Sequence, residues 1–118
     1  MSKKILIVED DGNIRELLRL YLEREGYEIT EAANGEEGVE LWRKINPDMI
    51  LLDVMMPIMD GWQVCKIIRK ESKVPIIIMT AKGETFDKVN GLEMGADDYI
   101  VKPLEMREVI ARVRAIFR

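Results

Sequence analysis

Residues 48–61, DMILLDVMMPIMDG, decide the fold of this chain. Residues 49–52 are all apolar, and this run ends in a carboxylate, Asp53, before the chain turns at Pro57 and Gly61. A short apolar run bounded by turn residues is typical of a strand that is buried on both faces of a parallel sheet. We therefore predict that Asp53 lies at the carboxyl end of a buried strand.

The rest of the chain alternates similar apolar runs with segments of helical periodicity. The pattern predicts further strands over 4–8, 27–32, 75–79 and 99–101, and helices over 13–25, 35–45, 62–69, 86–94 and 105–117. This alternation indicates an α/β domain with helices on both faces of a parallel sheet, because right-handed crossovers place them there. We expect a flavodoxin-like, doubly wound sheet of five strands in the order 2-1-3-4-5, with five helices.

Composition excludes several classes of protein. The 118 residues, 47% of them hydrophobic, are enough for one globular domain with its own core. The net charge of −4 gives no reason to expect direct binding to nucleic acid. Cys65 is the single cysteine, so an internal disulfide is excluded, and no apolar run approaches the roughly 20 residues of a membrane span. We expect a soluble, cytoplasmic protein without membrane contact.

Polar side chains follow the predicted strands at one edge of the sheet. Glu9 and Asp10 follow the first strand, Asp53 the third, Thr80 the fourth and Lys102 the fifth. Clustered carboxylates are unfavourable unless a cation compensates their charge, and oxygen ligands with room for water and phosphate suit Mg²⁺. The chain has no histidine, which argues against zinc. An aspartate beside a metal and an amine can attack phosphorus, and Asp53 is our candidate nucleophile.

Each of these residues also has a structural interpretation. Asp53 could be a turn residue, Thr80 a helix cap and Lys102 a solvated lysine. Their joint placement at strand ends favours the functional interpretation. For Asp11 the alternatives stay open, since its side chain would either cap the first helix or join the acidic cluster.

Four segments resemble the signature segments of response-regulator receiver domains, which have the CheY-like fold. These are ILIVEDD (5–11), DMILLDVMMPIMDG (48–61), PIIIMTA (75–81) and GADDYIVKP (95–103), in the family's order. The resemblance implies that Asp53 accepts a phosphoryl group from a sensor histidine kinase or from acetyl phosphate. It implies that Mg²⁺ is held by Glu9, Asp10, Asp53 and the backbone carbonyl of Met55, and that Thr80 and Lys102 bind the phosphoryl oxygens.

The resemblance also implies a switch. Thr80 would move towards the phosphoryl group and Tyr99 would turn inward, which changes the surface of the fourth helix, fifth strand and fifth helix. Pro103 would follow a cis peptide bond. The chain would then be a phosphoacceptor signalling domain rather than an enzyme, and it would support its own phosphotransfer and autodephosphorylation.

The last third resembles the OmpR/PhoB subfamily in particular, whose receivers form homodimers when phosphorylated. The matching interface residues are Lys88, Val89, Leu92, Asp97, Asp98, Glu108, Ile110, Arg112 and Arg114. We expect Lys88 to pair with Glu108, and Asp98 with Arg112, across a two-fold axis. Such regulators continue into a winged-helix DNA-binding domain, so we expect residues 1–118 to be the N-terminal part of a longer transcription regulator.

Three alternatives remain at this point. Within the family, the chain could be a stand-alone receiver that docks on a partner protein or serves as a phosphorelay intermediate. A flavin-binding electron carrier would share the fold, but it needs a Ser-, Thr- and Gly-rich phosphate loop where this chain has acidic residues. An aspartate-based phosphatase would need an acid/base aspartate where Met55 stands.

Overall fold

The computed structural model describes residues 2–81 and 94–118. Within them lie five strands and four helices: β1 (Lys4–Val8), α1 (Gly12–Arg24), β2 (Glu28–Ala32), α2 (Gly35–Ile45), β3 (Met49–Asp53), α3 (Gly61–Arg69), β4 (Ile76–Ala81), β5 (Asp98–Lys102) and α4 (Met106–Phe117). The predicted helix over 86–94 falls outside the described residues except for its last position. Every other predicted element is confirmed, with ends that differ by at most two residues. None of the described helices is long and apolar enough to cross a membrane.

The strands form one parallel sheet in the order β2-β1-β3-β4-β5, which confirms the predicted topology. The register aligns the ends of the strands that carry the candidate site. Val8 pairs with Leu52, and Asp53, one residue further along β3, pairs with Met79. Residues that follow β1 and β3 therefore emerge side by side at the same edge.

Two apolar cores lie on opposite faces of the sheet. Alternate residues of β1 and β3 point to opposite faces, as the pleat of a strand requires. Leu6, Val8, Ile50 and Leu52 pack with buried residues of α2 and α3, whereas Ile5, Ile7, Met49 and Leu51 pack with buried residues of α1 and α4. We call these the α2/α3 face and the α1/α4 face. Because both faces are covered, residues 5–8 of β1 and 49–52 of β3 are continuous apolar runs.

Two aspartates begin helices. The Asp11 carboxylate accepts hydrogen bonds from the backbone N–H groups of Asn13 (2.9 Å) and Ile14 (3.3 Å), so it caps α1. Asp60 caps α3 through a capping box with Gln63, with both N···O distances at 2.9 Å. The structure thus decides in favour of the cap for Asp11.

The segment between β3 and α3 is tightly turned. The Met59 N–H donates to the Pro57 carbonyl at 2.8 Å, and Ile58 between them has a φ of 71°. This left-handed conformation is rare for a β-branched residue and costs of the order of 1–3 kcal/mol. Ile58 is also 93% exposed, so no apolar burial offsets that cost.

Candidate functional site

The candidate site lies at the carboxyl edge of the sheet. Glu9 and Asp10 follow β1, and Asp53 is the last residue of β3. One carboxylate oxygen from each of the three lies within 4.8 Å of the others. Glu9 and Asp53 are 0% and 2% exposed, whereas Asp10 is exposed, so the cluster has a buried floor and one solvent-facing member.

Lys102 joins the two buried carboxylates. Its ammonium group donates to Oε1 of Glu9 at 2.9 Å and to Oδ1 of Asp53 at 3.1 Å. Burial lowers the pKa of Lys102, but the hydrogen bonds and negative charges of Glu9 and Asp53 outweigh burial and leave this pKa raised. The lysine is therefore a fixed positive charge at the centre of the site. It is followed by a cis Lys102–Pro103 peptide bond, as the resemblance implied.

One lysine does not fully compensate two buried carboxylates and a third beside them. Burial raises the pKa of Glu9 from 4.5 to about 7, although hydrogen bonds from Lys102 and from the backbone of Asp11 lower it. Burial also raises the pKa of Asp53, against the hydrogen bond and charge of Lys102. A further cation would stabilise the ionised forms of Glu9 and Asp53. A pocket of hard carboxylate oxygens with one solvent-facing side fits Mg²⁺, which keeps several of its waters.

Backbone contacts hold Glu9 in place. Its N–H donates to the Ala32 carbonyl at 3.1 Å, and its Oε2 accepts from the Asp11 N–H at 3.1 Å. Its carbonyl oxygen accepts a 2.7 Å hydrogen bond from Arg15 of α1. The sequence analysis missed Arg15. The only signal was its position, four residues after Asp11, where a helical side chain lies over the preceding turn.

The remaining predicted site residues lie on or near this edge. Thr80 is half-buried in β4, next to Met79, which pairs with Asp53. Tyr99 is half-buried in β5 and packs against the α2/α3 face. Met55 follows β3, and its side chain is 65% exposed, so any contribution to a metal through its backbone leaves the side chain at the surface.

The predicted dimer residues make contacts within the chain. Arg112 donates to both carboxylate oxygens of Asp98, at 3.1 and 2.9 Å, and to Glu108 at 3.1 Å. Ile110 is half-buried on the α1/α4 face, and Arg114 forms an ion pair with Glu25. The interchain pair of Asp98 with Arg112 stays a prediction, and it would have to replace the intrachain one.

Asp97 lies at the opposite end of β5 from Lys102. Its Oδ2 accepts from Arg69 at 2.9 Å and from the Ile76 N–H at 2.8 Å, which ties the start of β5 to α3 and β4. The other three predicted interface residues lie outside the described residues: Lys88, Val89 and Leu92.

The raised pKa of Glu9 predicts the pH dependence of stability. Between pH 4.5 and about 7 the folded protein binds more protons than the unfolded chain, so the free energy of unfolding falls as pH rises through this window. In metal-free protein we expect Glu9 to lower the free energy of unfolding by up to about 3 kcal/mol across this window, measured by urea denaturation in EDTA.

Glu9→Gln is the matched control for this measurement. It keeps the shape of the side chain but cannot ionise, so the fall in the free energy of unfolding between pH 5 and 7 should become smaller. The raised pKa of Asp53 contributes a fall of the same sign, which the variant keeps. An equal slope in wild type and Glu9→Gln would contradict the assignment to Glu9.

Comparison with known proteins places the chain among two-component proteins. The sequence pattern of the response regulator receiver domain matches residues 5–114. The transcriptional regulatory protein ResD of Bacillus subtilis (strain 168) is 55% identical over 115 residues, which are 98% of this chain and 48% of ResD. The transcriptional regulatory protein SrrA of Staphylococcus aureus (strain NCTC 8325 / PS 47) is 55% identical over 118 residues, which are 100% of this chain and 49% of SrrA.

Solved structures agree with the sequence match. A two-component response regulator from Clostridium difficile superposes with a TM-score of 0.93 at 37% identity, over 99% of this chain and 97% of that one. The chain spans about half the length of ResD and SrrA. Since the pattern covers nearly the whole chain and the fold matches, the chain belongs to the family of response regulator receiver domains.

Proposed function

We propose that Asp53 is the phosphoryl acceptor of this receiver and that Mg²⁺ is held by Glu9, Asp10, Asp53 and the Met55 backbone carbonyl. The observation that carries the proposal is the arrangement of Lys102 between the buried carboxylates of Glu9 and Asp53. The donor is the phosphohistidine of a sensor histidine kinase, or a small phosphodonor such as acetyl phosphate.

The proposed reaction follows from the charges at the site. An ionised Asp53 oxygen forms a bond to phosphorus while the bond from phosphorus to the donor breaks, and the donor leaves with that electron pair. Lys102 favours the ionised form of Asp53, and its ammonium can then donate to a phosphoryl oxygen. The Thr80 hydroxyl is the proposed second donor to those oxygens. Bound Mg²⁺ would supply further positive charge against the phosphoryl oxygens.

The proposed output begins with Thr80 and Tyr99. A phosphoryl group places about two negative charges on Asp53 and so attracts nearby donors, of which Thr80 is the candidate. Movement of Thr80 would open space for Tyr99, which already packs partly against the α2/α3 face one residue from the Asp98–Arg112 pair. A small packing change at Tyr99 can therefore reach the surface of β5 and α4.

We propose that this surface controls homodimerisation in the manner of the OmpR/PhoB subfamily. Asp97, Asp98, Glu108, Ile110, Arg112 and Arg114 would contribute, together with Lys88, Val89 and Leu92. Because Arg112 is bonded to Asp98 and Glu108 within one chain, the interchain pairs would form by exchange of partners. Exchange of existing ion pairs changes the net energy little. Such pairs would therefore determine the register of the two protomers more than the affinity between them.

The proposed whole protein is a cytoplasmic transcription regulator. ResD and SrrA are transcriptional regulatory proteins of about twice this length, which supports a longer regulator whose DNA contacts come from another domain. The net charge of −4 also argues against DNA binding by this segment. A stand-alone receiver or phosphorelay intermediate is the alternative, and detection of a DNA-binding domain in the full-length gene product would exclude it.

Intact-mass measurement tests the proposal. Wild-type protein incubated with acetyl phosphate and Mg²⁺ should gain the mass of one phosphoryl group, and the same incubation in EDTA should give no gain. A gain that does not need Mg²⁺ would contradict the metal assignment. No gain with acetyl phosphate or with a phosphorylated histidine kinase would overturn the acceptor role and favour phosphorylation-independent protein binding. Decay of the added mass after removal of the donor would measure autodephosphorylation.

A further inference from the structure

Arg15 connects the acidic site to the neighbouring strand. Its Nη1 donates to the Glu9 carbonyl at 2.7 Å, and its Nε donates to Oε1 of Glu31, in β2, at 3.1 Å. The Arg15 side chain is 21% exposed and that of Glu31 27%, so solvent screens this pair only in part. The carboxylate of Glu31 therefore orients the guanidinium, and the guanidinium holds the Glu9 carbonyl.

The contact with Glu9 also determines the position of Asp10. The carbonyl of Glu9 and the amide nitrogen of Asp10 belong to the same planar peptide group, which turns as a unit. The peptide group on the other side of Asp10 carries the Asp11 N–H, which donates to Oε2 of Glu9 at 3.1 Å. With both flanking groups bonded, the direction in which the Asp10 side chain leaves the backbone is restricted.

We propose that Arg15 is a positioning residue that orients the Glu9–Asp10 peptide and thereby sets the affinity and selectivity of the acidic site for Mg²⁺. This inference rests on the proposed function, since it concerns the same metal site. An arginine suits the role because its rigid, forked guanidinium reaches a carbonyl and a carboxylate at once, whereas the single ammonium of a lysine does not do so in a fixed geometry.

The sign of the effect separates positioning from simple charge. Removal of a positive charge near a cation site would by Coulomb's law strengthen Mg²⁺ binding. Loss of a group that orients metal ligands weakens binding, typically 10- to 100-fold. The two explanations therefore predict opposite changes for Arg15→Met.

Selectivity provides a second distinction. Mg²⁺ requires near-ideal octahedral geometry, whereas Ca²⁺ accepts flexible and irregular ligand sets. A looser Glu9–Asp10 peptide should therefore weaken Mg²⁺ binding more than Ca²⁺ binding. A change in net charge or a general loss of stability would alter both affinities in the same proportion.

Arg19 provides a matched control. It donates to the same Glu31, and also to Glu23 and to the Ile29 carbonyl, at the part of α1 away from Glu9. Arg19→Met therefore removes the same charge from the same helix and disturbs the same glutamate, while the bond from Arg15 to Glu9 is left in place.

The test is isothermal titration calorimetry of the metal-free protein with Mg²⁺ and, separately, Ca²⁺. We expect Arg15→Met to raise the Mg²⁺ Kd about 10-fold or more and the Ca²⁺ Kd by a smaller factor. The Mg²⁺ Kd of Arg15→Lys should lie between those of Arg15→Met and wild type. Arg15→Lys serves as the test if Arg15→Met does not fold. Arg19→Met should leave the ratio of the two affinities as in wild type.

Three results would overturn the inference. Unchanged or tighter Mg²⁺ binding by the Arg15 variants would show that only charge matters. An equal loss of Mg²⁺ affinity in Arg15→Met and Arg19→Met, with an unchanged ratio of the Mg²⁺ and Ca²⁺ affinities, would show that Arg15 has only a general structural role. Absence of Mg²⁺ binding by wild type would contradict the proposed metal site itself, and this inference with it.

Discussion

Asp53→Asn protein is expected to gain no phosphoryl mass from acetyl phosphate and Mg²⁺ under conditions in which wild type is modified. A carboxamide has no ionised oxygen to attack phosphorus, and the neighbouring Glu9 is buried and bonded to Lys102. Because burial raises the pKa of Asp53, the ionised side chain costs stability at neutral pH. Metal-free Asp53→Asn should therefore unfold at a higher urea concentration than wild type at pH 8. This result would exclude misfolding as the reason why the variant is not phosphorylated.

Asp60→Asn is the control for this substitution. Asp60 caps α3, and asparagine is an equally good cap, so this variant should fold and be phosphorylated like wild type. If Asp53→Asn still gains a phosphoryl group, another carboxylate is the acceptor. The solvent-facing Asp10 would be the first to test by peptide mapping.

Gly61→Ala is expected to lower the free energy of unfolding by about 3 kcal/mol, measured by urea denaturation. A Cβ at Gly61 would lie 2.3 Å from the Asp53 carbonyl oxygen and 2.8 Å from the Val54 Cα. Both are backbone atoms that cannot move aside as a flexible side chain can. The Gly61 N–H also donates to the Val54 carbonyl at 2.9 Å, so α3 begins directly against the end of β3. Relief of the clash would displace Asp53 from Lys102.

Gly12→Ala is the matched control. Gly12 begins α1, and an added Cβ there would meet only the flexible end of Arg15, at 3.4 Å. Alanine also favours the helix and restricts the unfolded chain, so stability should be unchanged or slightly higher. Equal unfolding midpoints for Gly61→Ala and wild type would contradict the close packing of α3 on β3.

Local patterns predicted most of the fold because each carries a direct physical signal. Buried parallel strands are apolar throughout, as residues 5–8 and 49–52 are, and amphipathic helices repeat their apolar residues every three or four positions. Helix ends were predicted less accurately, since α1 and α3 begin at Gly12 and Gly61, one residue earlier than the periodicity indicated. The predicted helix over 86–94 stays a prediction.

The sequence alone determined the family, the order of the strands and the edge at which Glu9, Asp10, Asp53 and Lys102 meet, because the ends of parallel strands share one edge. The tertiary structure decided which groups touch there. Lys102 reaches Glu9 and Asp53 across separations of 93 and 49 residues. The tertiary structure also showed that Asp11 caps a helix, that Arg15 donates to the Glu9 carbonyl and that Arg112 pairs with Asp98. Such contacts depend on register and side-chain direction between distant elements, about which the periodicity of each segment carries no information.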